Sequence, residues 1–183
     1  MKNFLNTPFL RSYWVLEGKL LAGEYPGSAN PLDARKKLAR LYDAGIRHVV
    51  NLTEAHEVNH AGERFSPYDT IFSEIAAERG DSVTCVRHPI RDLGIPDPSG
   101  MRTNLDDIGQ ALEHGRPVYV HCWGGIGRTG TVVGCFLIEA GMVWPESVLD
   151  HIRHLRRNEA RSYIESPETD QQRRFVTSWK RNS

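Results

Sequence analysis

The chain has 183 residues, a length that suits one compact domain rather than several. Lysine plus arginine and aspartate plus glutamate number 23 each, so no global field draws the chain to nucleic acid or to an anionic membrane, and any anion specificity has to be local. The opening MKNFLNTPFLRSYW lacks an apolar core of signal-peptide length, and no later run approaches the roughly 20 apolar residues of a membrane span. A cytoplasmic protein with no membrane or nucleic-acid partner is therefore expected. Three cysteines, Cys85, Cys122 and Cys135, leave one unpaired and show no metal-ligand spacing, which fits a reducing compartment.

In chain order, alternating segments at 12–16 and 19–22, separated by Glu17-Gly18, predict a small hairpin at a sheet edge. Asn30 and Pro31 supply an N-cap and first-turn proline, Leu38 and Leu41 an apolar stripe, and Gly45 a stop, so a helix precedes a strand over 47–52. A second such unit has Ile71, Phe72 and Ile75 on one helical face, Gly80 closing it, and a strand over 82–88. Residues 90–99 read as a loop. Met101, Leu105, Ile108 and Leu112 mark a third helix, ended by Gly115 before an apolar strand over 117–120. Residues 128–140 are apolar nearly all round, which predicts a helix buried on several sides. Helices beginning at Pro145 and at Pro167, the latter capped by Ser166, complete the chain. Strands alternating with helices predict an α/β fold: a mostly parallel twisted sheet of about four or five strands with helices on both faces. One domain over residues 1–183 is expected, its core at about 12–180.

The chemistry concentrates between the 117–120 strand and the buried helix, in His121-Cys122-Trp123-Gly124-Gly125-Ile126-Gly127-Arg128-Thr129-Gly130. Glycines let the backbone curl so that successive amide N–H groups point inward, and the helix that starts there adds its positive end, making residues 123–128 a phosphate cradle. Helix N-termini and neighbouring arginines also favour thiolate over thiol, so Cys122 is the candidate nucleophile. Arg128 lies six positions on, across the curl, where its planar fork can hold two phosphate oxygens. Cys135, inside the apolar helix, and Cys85, in a strand, read as core. His151 and His154 share a helix face but have no third ligand, so no metal and no cofactor are expected. The arginine-rich stretch that includes Arg153, Arg156, Arg157 and Arg161 reads as a solvated helix surface.

The ten-residue segment matches HCxxGxxR[S/T]G, the signature of the protein tyrosine and dual-specificity phosphatase superfamily, and the chain resembles the compact dual-specificity members from about Trp14 to Gln172. The resemblance implies that Cys122 attacks phosphorus to form a cysteinyl-phosphate, Arg128 clamps the phosphoryl oxygens, Thr129 offers its hydroxyl to the sulfur, and His121 tunes the loop. It also implies a carboxylic acid that protonates the departing oxygen. Asp92, in His88-Pro89-Ile90-Arg91-Asp92, resembles the family's general-acid loop, with Asp97 as the rival. Glu168-Thr169-Asp170-Gln171-Gln172 resembles a water-positioning Gln-Thr-x-x-Gln in which Glu168 replaces the first glutamine and Gln172 matches the second. The long recognition loop of larger tyrosine-specific relatives is absent, which implies a shallow, permissive pocket.

The same glycines spell GxGxxG, but a helix follows where the dinucleotide fingerprint needs a second strand ending in an acid. A sulfurtransferase has no use for Arg128-Thr129, and a catalytically idle phosphate-binding module has no use for thiol or acid. A monomeric phosphatase acting on phosphotyrosine in proteins or peptides, and on phosphoserine or phosphothreonine, is the expectation. An inositol phosphate or phosphoinositide substrate is the alternative, disfavoured because the cradle carries no lysine.

Overall fold

The computed structural model describes residues 7–58, 62–64 and 66–181. The ends of the expected 1–183 domain therefore lie outside the described residues. Strands β1 (Ser12–Leu16), β2 (Leu20–Gly23), β3 (His48–Asn51), β4 (Thr84–Arg87) and β5 (Val118–His121) form one sheet in the order β1-β2-β5-β3-β4. Only β1 runs antiparallel, joined to β2 by the turn at Gly18; the other pairings are parallel. β5 is central because Val118, Tyr119, Val120 and His121 are all fully buried, as a strand covered on both faces must be. Helices α1 (Pro31–Asp43), α2 (Asp69–Ala77), α3 (Pro98–Glu113), α4 (Gly127–Glu139), α5 (Val148–Leu155) and α6 (Asp170–Thr177) cover it.

Strand alternation divides the core in two. Leu21, Val49 and Tyr119 face Leu38 and Leu41 of α1 and Phe72 and Ile75 of α2. Leu20, Ala22, Val50, Val118 and Val120 face the other way, onto Met101 and Ile108 of α3, Val132 and Val133 of α4, Ile152 of α5 and Val176 of α6. The α/β sandwich expected from the sequence is thus present. Parallel β2, β3 and β5 bring their carboxyl ends to one edge, where crevices form in open α/β sheets.

Three expected boundaries shift for local reasons. The loop after β4 ends at Asp97, not Ser99, because the Asp97 carboxylate accepts the Gly100 N–H at 2.6 Å and starts α3 at Pro98. The helix expected from Pro145 begins at Val148, after a turn closed by Ser147 N–H donating to the Trp144 carbonyl. The last helix begins at Asp170, not Pro167. Ser166 is not its cap, since its hydroxyl donates instead to the Ile126 carbonyl at 2.7 Å; Thr169 and Gln172 form a reciprocal capping box. The arginine-rich stretch is not a uniform solvated face either, because Arg156 is only 2% exposed.

The Ser166 bond seats the 166–167 segment directly on α4. A Cβ at Gly130 would stand 2.1 Å from Ser166 Oγ and 3.3 Å from the Pro167 backbone. Gly130→Ala should therefore lower the urea midpoint by an amount equivalent to about 1–3 kcal/mol with an unchanged m-value, as overpacking does.

Candidate active site

Strand β5 delivers Cys122, and α4 begins five residues later, so the intervening loop curls around the sulfur. Gly125 N–H donates to Cys122 Sγ at 3.2 Å and the Thr129 hydroxyl donates to it at 3.1 Å. The curl needs Gly125: its φ is +71°, and a Cβ there would lie 2.3 Å from the Gly23 carbonyl carbon at the end of β2. Cys122 is 3% exposed and forms part of the floor of a cleft of about 500 Å³ whose walls include Asp92, Leu93, Trp123, Ile126, Arg128 and Gln172. The structure thus brings together the residues singled out in the sequence, with Trp123, Gly124, Ile126 and Gly127 lining the same cleft.

Arg128 is 2% exposed, and its charge is answered by a residue that the sequence did not single out. Nη1 and Nη2 donate to the two carboxylate oxygens of Glu57, each at 2.6 Å, and Nη1 also donates to the Ile90 carbonyl at 3.1 Å. Burial works against the guanidinium charge, but the Glu57 hydrogen bonds and the charges of Cys122, Glu57 and Asp92 outweigh it and raise the Arg128 pKa. The Asp92 carboxylate sits 2.9 Å from Nη2 with its side chain 53% exposed. Asp92 and not its rival Asp97 is therefore at the cleft, Asp97 being spent on capping α3.

His121 is fully buried beneath the loop. Nδ1 donates to the Cys122 carbonyl at 2.9 Å, which leaves Nε2 to accept from the Tyr68 hydroxyl at 2.5 Å. Burial, aided by the positive charges of Arg87, Arg128 and Lys37 and opposed by the Cys122 carbonyl bond, brings its pKa down to about 3, so the ring is neutral. Gln172 is fully buried; its Oε1 accepts the Glu168 and Thr169 N–H groups, and its Nε2 donates to the Gly94 carbonyl at 2.9 Å. It ties α6 to the loop that carries Asp92. Glu168 lines the cleft just ahead of α6. Burial pushes the Cys85 thiol up to about 12 and raises Cys135 as well; Cys135 is core as read, whereas Cys85, on edge strand β4, is only partly buried against it. Among the described residues no group of His, Cys, Asp and Glu could hold a metal ion, and no helix is long and apolar enough to cross a membrane.

A five-stranded, largely parallel α/β sheet whose central strand opens into a Cys-to-Arg cradle defines a cysteine-based phosphatase fold of the dual-specificity kind. Over residues 10–176 the chain matches the family described as "PTP-SAK: Swiss Army Knife protein, DSP-PTPase phosphatase domain", and it belongs to that family. It is 34% identical over 70 residues to cyclin-dependent kinase inhibitor 3 of Homo sapiens, covering 38% of this chain and 33% of that protein. It is 29% identical over 123 residues to the phosphatidylglycerophosphate phosphatase PTPMT2 of Arabidopsis thaliana, covering 67% of this chain and 48% of that protein. The matches thus span a third to a half of these relatives' lengths. The crystal structure of kinase associated phosphatase shares the fold, with a TM-score of 0.71 at 20% identity over 94% of both chains. So does PTPMT1 in complex with PI(5)P, with a TM-score of 0.63 at 18% identity over 90% of this chain and 94% of that one.

The neutral, buried His121 gives the fold an acid limit. Its folded pKa of about 3 lies below the ordinary 6.5 or so of an unfolded histidine. Its contribution is therefore complete above about pH 6.5 and is lost as pH falls toward 3, at up to ~1.4 kcal/mol per pH unit. Denaturant titrations of wild type and His121→Asn at several pH values across that window should give a shallower slope of unfolding free energy against pH for the variant.

Proposed function

We propose that this phosphatase hydrolyses phosphotyrosine in proteins or peptides, and phosphoserine or phosphothreonine in the same shallow cleft, through a cysteinyl-phosphate intermediate. The observation that carries the reading is the Cys122 sulfur, which receives the Gly125 N–H and the Thr129 O–H at the floor of a cleft that also holds Arg128 and Asp92. Glu57 occupies one edge of the Arg128 fork. The Nε–H and the Nη2–H now facing Asp92 are left for two phosphoryl oxygens, which displace the Asp92 carboxylate when substrate enters.

In the first step a lone pair of the Cys122 thiolate forms the S–P bond while the ester P–O bond breaks, and the leaving oxygen takes a proton from Asp92. Inward N–H groups of residues 123–128 and the start of α4 bear the negative charge of the equatorial oxygens. In the second step water attacks phosphorus, Asp92 takes its proton, and the S–P bond breaks to return thiolate and inorganic phosphate. Thr129 eases that departure by hydrogen-bonding the sulfur. His121 stays out of the proton transfers, neutral and bonded on both nitrogens.

Protein substrates are favoured by a cradle of Trp123, Gly124, Gly125 and Ile126 that carries no cation, and by apolar Leu93 and Ile164 on the cleft wall, suited to an aromatic ring. A phosphoinositide or phosphatidylglycerophosphate substrate is the second reading, favoured by Arg11 and Arg161 at the cleft and by the Arabidopsis relative. Phosphate release from a panel of phosphotyrosine, phosphothreonine, inositol phosphate and phosphoinositide substrates decides between them. The protein reading predicts the highest kcat/KM on phosphotyrosine peptides, and a preference for the lipids would replace it.

Without added metal the protein should hydrolyse p-nitrophenyl phosphate and be inhibited by vanadate, and Cys122→Ser should be inactive. On a phosphotyrosine peptide Asp92→Ala should slow turnover by roughly 10² to 10⁴, whereas the same loss in Asp97→Ala alone would reassign the acid. Arg128→Lys should also fail, because a point charge cannot replace the fork.

A further inference from the structure

The cradle is held from outside as well as lined from within. Arg161, on the segment between α5 and α6, donates through Nη2 to the Gly124 carbonyl. That carbonyl belongs to the peptide unit whose N–H, on Gly125, points at Cys122 Sγ. In a trans peptide the C=O and N–H point in opposite directions, so a bond that fixes one fixes the other. The unit is flanked by two glycines, which resist rotation of the peptide plane less than any other pair would.

Arg161 is itself braced. Its Nε lies 3.8 Å from Glu159 Oε1, an ion-pair contact too long for a hydrogen bond, while Glu159 Oε2 accepts from Arg156 Nη2 at 2.8 Å. Arg156 also donates to the Ile164 carbonyl at 2.7 Å and to the Arg161 carbonyl at 3.2 Å, closing the segment on itself. Arg156 and Glu159 are 2% and 6% exposed. A carboxylate buried beside guanidiniums is a poor source of stability, but with Arg156 it ties down the segment from which Arg161 projects.

We propose that Arg161, braced by Glu159 and Arg156, is a positioning residue that locks the Gly124–Gly125 peptide with its N–H turned to Cys122. The inference rests on the reading of Cys122 as nucleophile. Without the lock the Gly125 N–H is free to turn from the sulfur, and the cradle loses one of the dipoles that stabilise both the thiolate and the bound phosphoryl group. The Arg161 hydrogen bond goes to a backbone carbonyl and not to the sulfur, so its effect on the thiol runs through the peptide unit.

Two measurements on wild type, Arg161→Ala and Arg161→Lys test it: steady-state kinetics on p-nitrophenyl phosphate, and the pH profile of Cys122 alkylation by iodoacetamide, which a merely structural role would not move. Arg161→Ala should lower kcat/KM by about tenfold to a hundredfold, the usual effect of losing a hydrogen bond to a charged group. It should move the alkylation midpoint up by about one pH unit. Arg161→Lys should not recover wild-type behaviour, since a rotating ammonium lacks the fork that grips Gly124 while facing Glu159. Arg161→Ala within about twofold of wild type in kcat/KM, with an unmoved midpoint, would overturn the proposal. Full recovery in Arg161→Lys would do the same by showing that charge alone suffices. If Arg161→Ala does not fold, Glu159→Gln carries the test. Loss of the brace predicts smaller changes in the same direction, whereas a lower midpoint, which removal of one negative charge alone would give, sinks the idea. Inactive wild type, or an active Cys122→Ser, would instead remove the nucleophile reading beneath it.

Discussion

The architecture turns on a guanidinium that water barely reaches. A charge as enclosed as that of Arg128 is tolerable only with a close counter-charge and satisfied donors, and Glu57 and the Ile90 carbonyl supply these from the segments that follow β3 and β4. This arrangement does more than neutralise. It fixes which edge of the fork is spent on Glu57 and which is turned to Asp92 and the cleft. The parallel strands make this possible by carrying all the contributing segments to the same edge of the sheet.

Three cysteines of identical intrinsic chemistry are separated by surroundings alone. Cys85 and Cys135 are held as thiols by burial. Cys122, buried like Cys135, has an amide and a hydroxyl aimed at its sulfur. Burial without donors suppresses a thiol's reactivity, whereas burial among donors directs it. His121 follows the same logic in the opposite sense: an imidazole next to Cys122 is kept neutral by enclosure and by nearby arginines, and both nitrogens are committed to structural bonds.

What could be read from the sequence is what local pattern encodes. The apolar run of β5, the glycines after it and the apolar circumference of α4 specify strand, curl and helix from adjacent residues, so the cradle was legible, as were the starts of α1 and its glycine stop. Glu57 was not. It lies 71 residues from Arg128, and nothing local distinguishes it from Glu54 or Glu63. The only available signal was the general demand of a buried arginine for an acid. Ser166 illustrates a different failure: serine before proline has the pattern of a helix start, but a tertiary bond to Ile126 claimed the hydroxyl and left capping to Thr169. Arg156 and Arg161 were hidden in a run of like charges: the burial of one and the reach of the other to Gly124 appear only in the folded chain.

Gln172 joins two parts of the molecule that the chain keeps far apart. With one amide group it completes the start of α6 and secures Gly94, two residues beyond Asp92. Helix α6 is thereby a splint for the loop that carries Asp92. A segment remote in sequence thus sets the shape of one edge of the cleft.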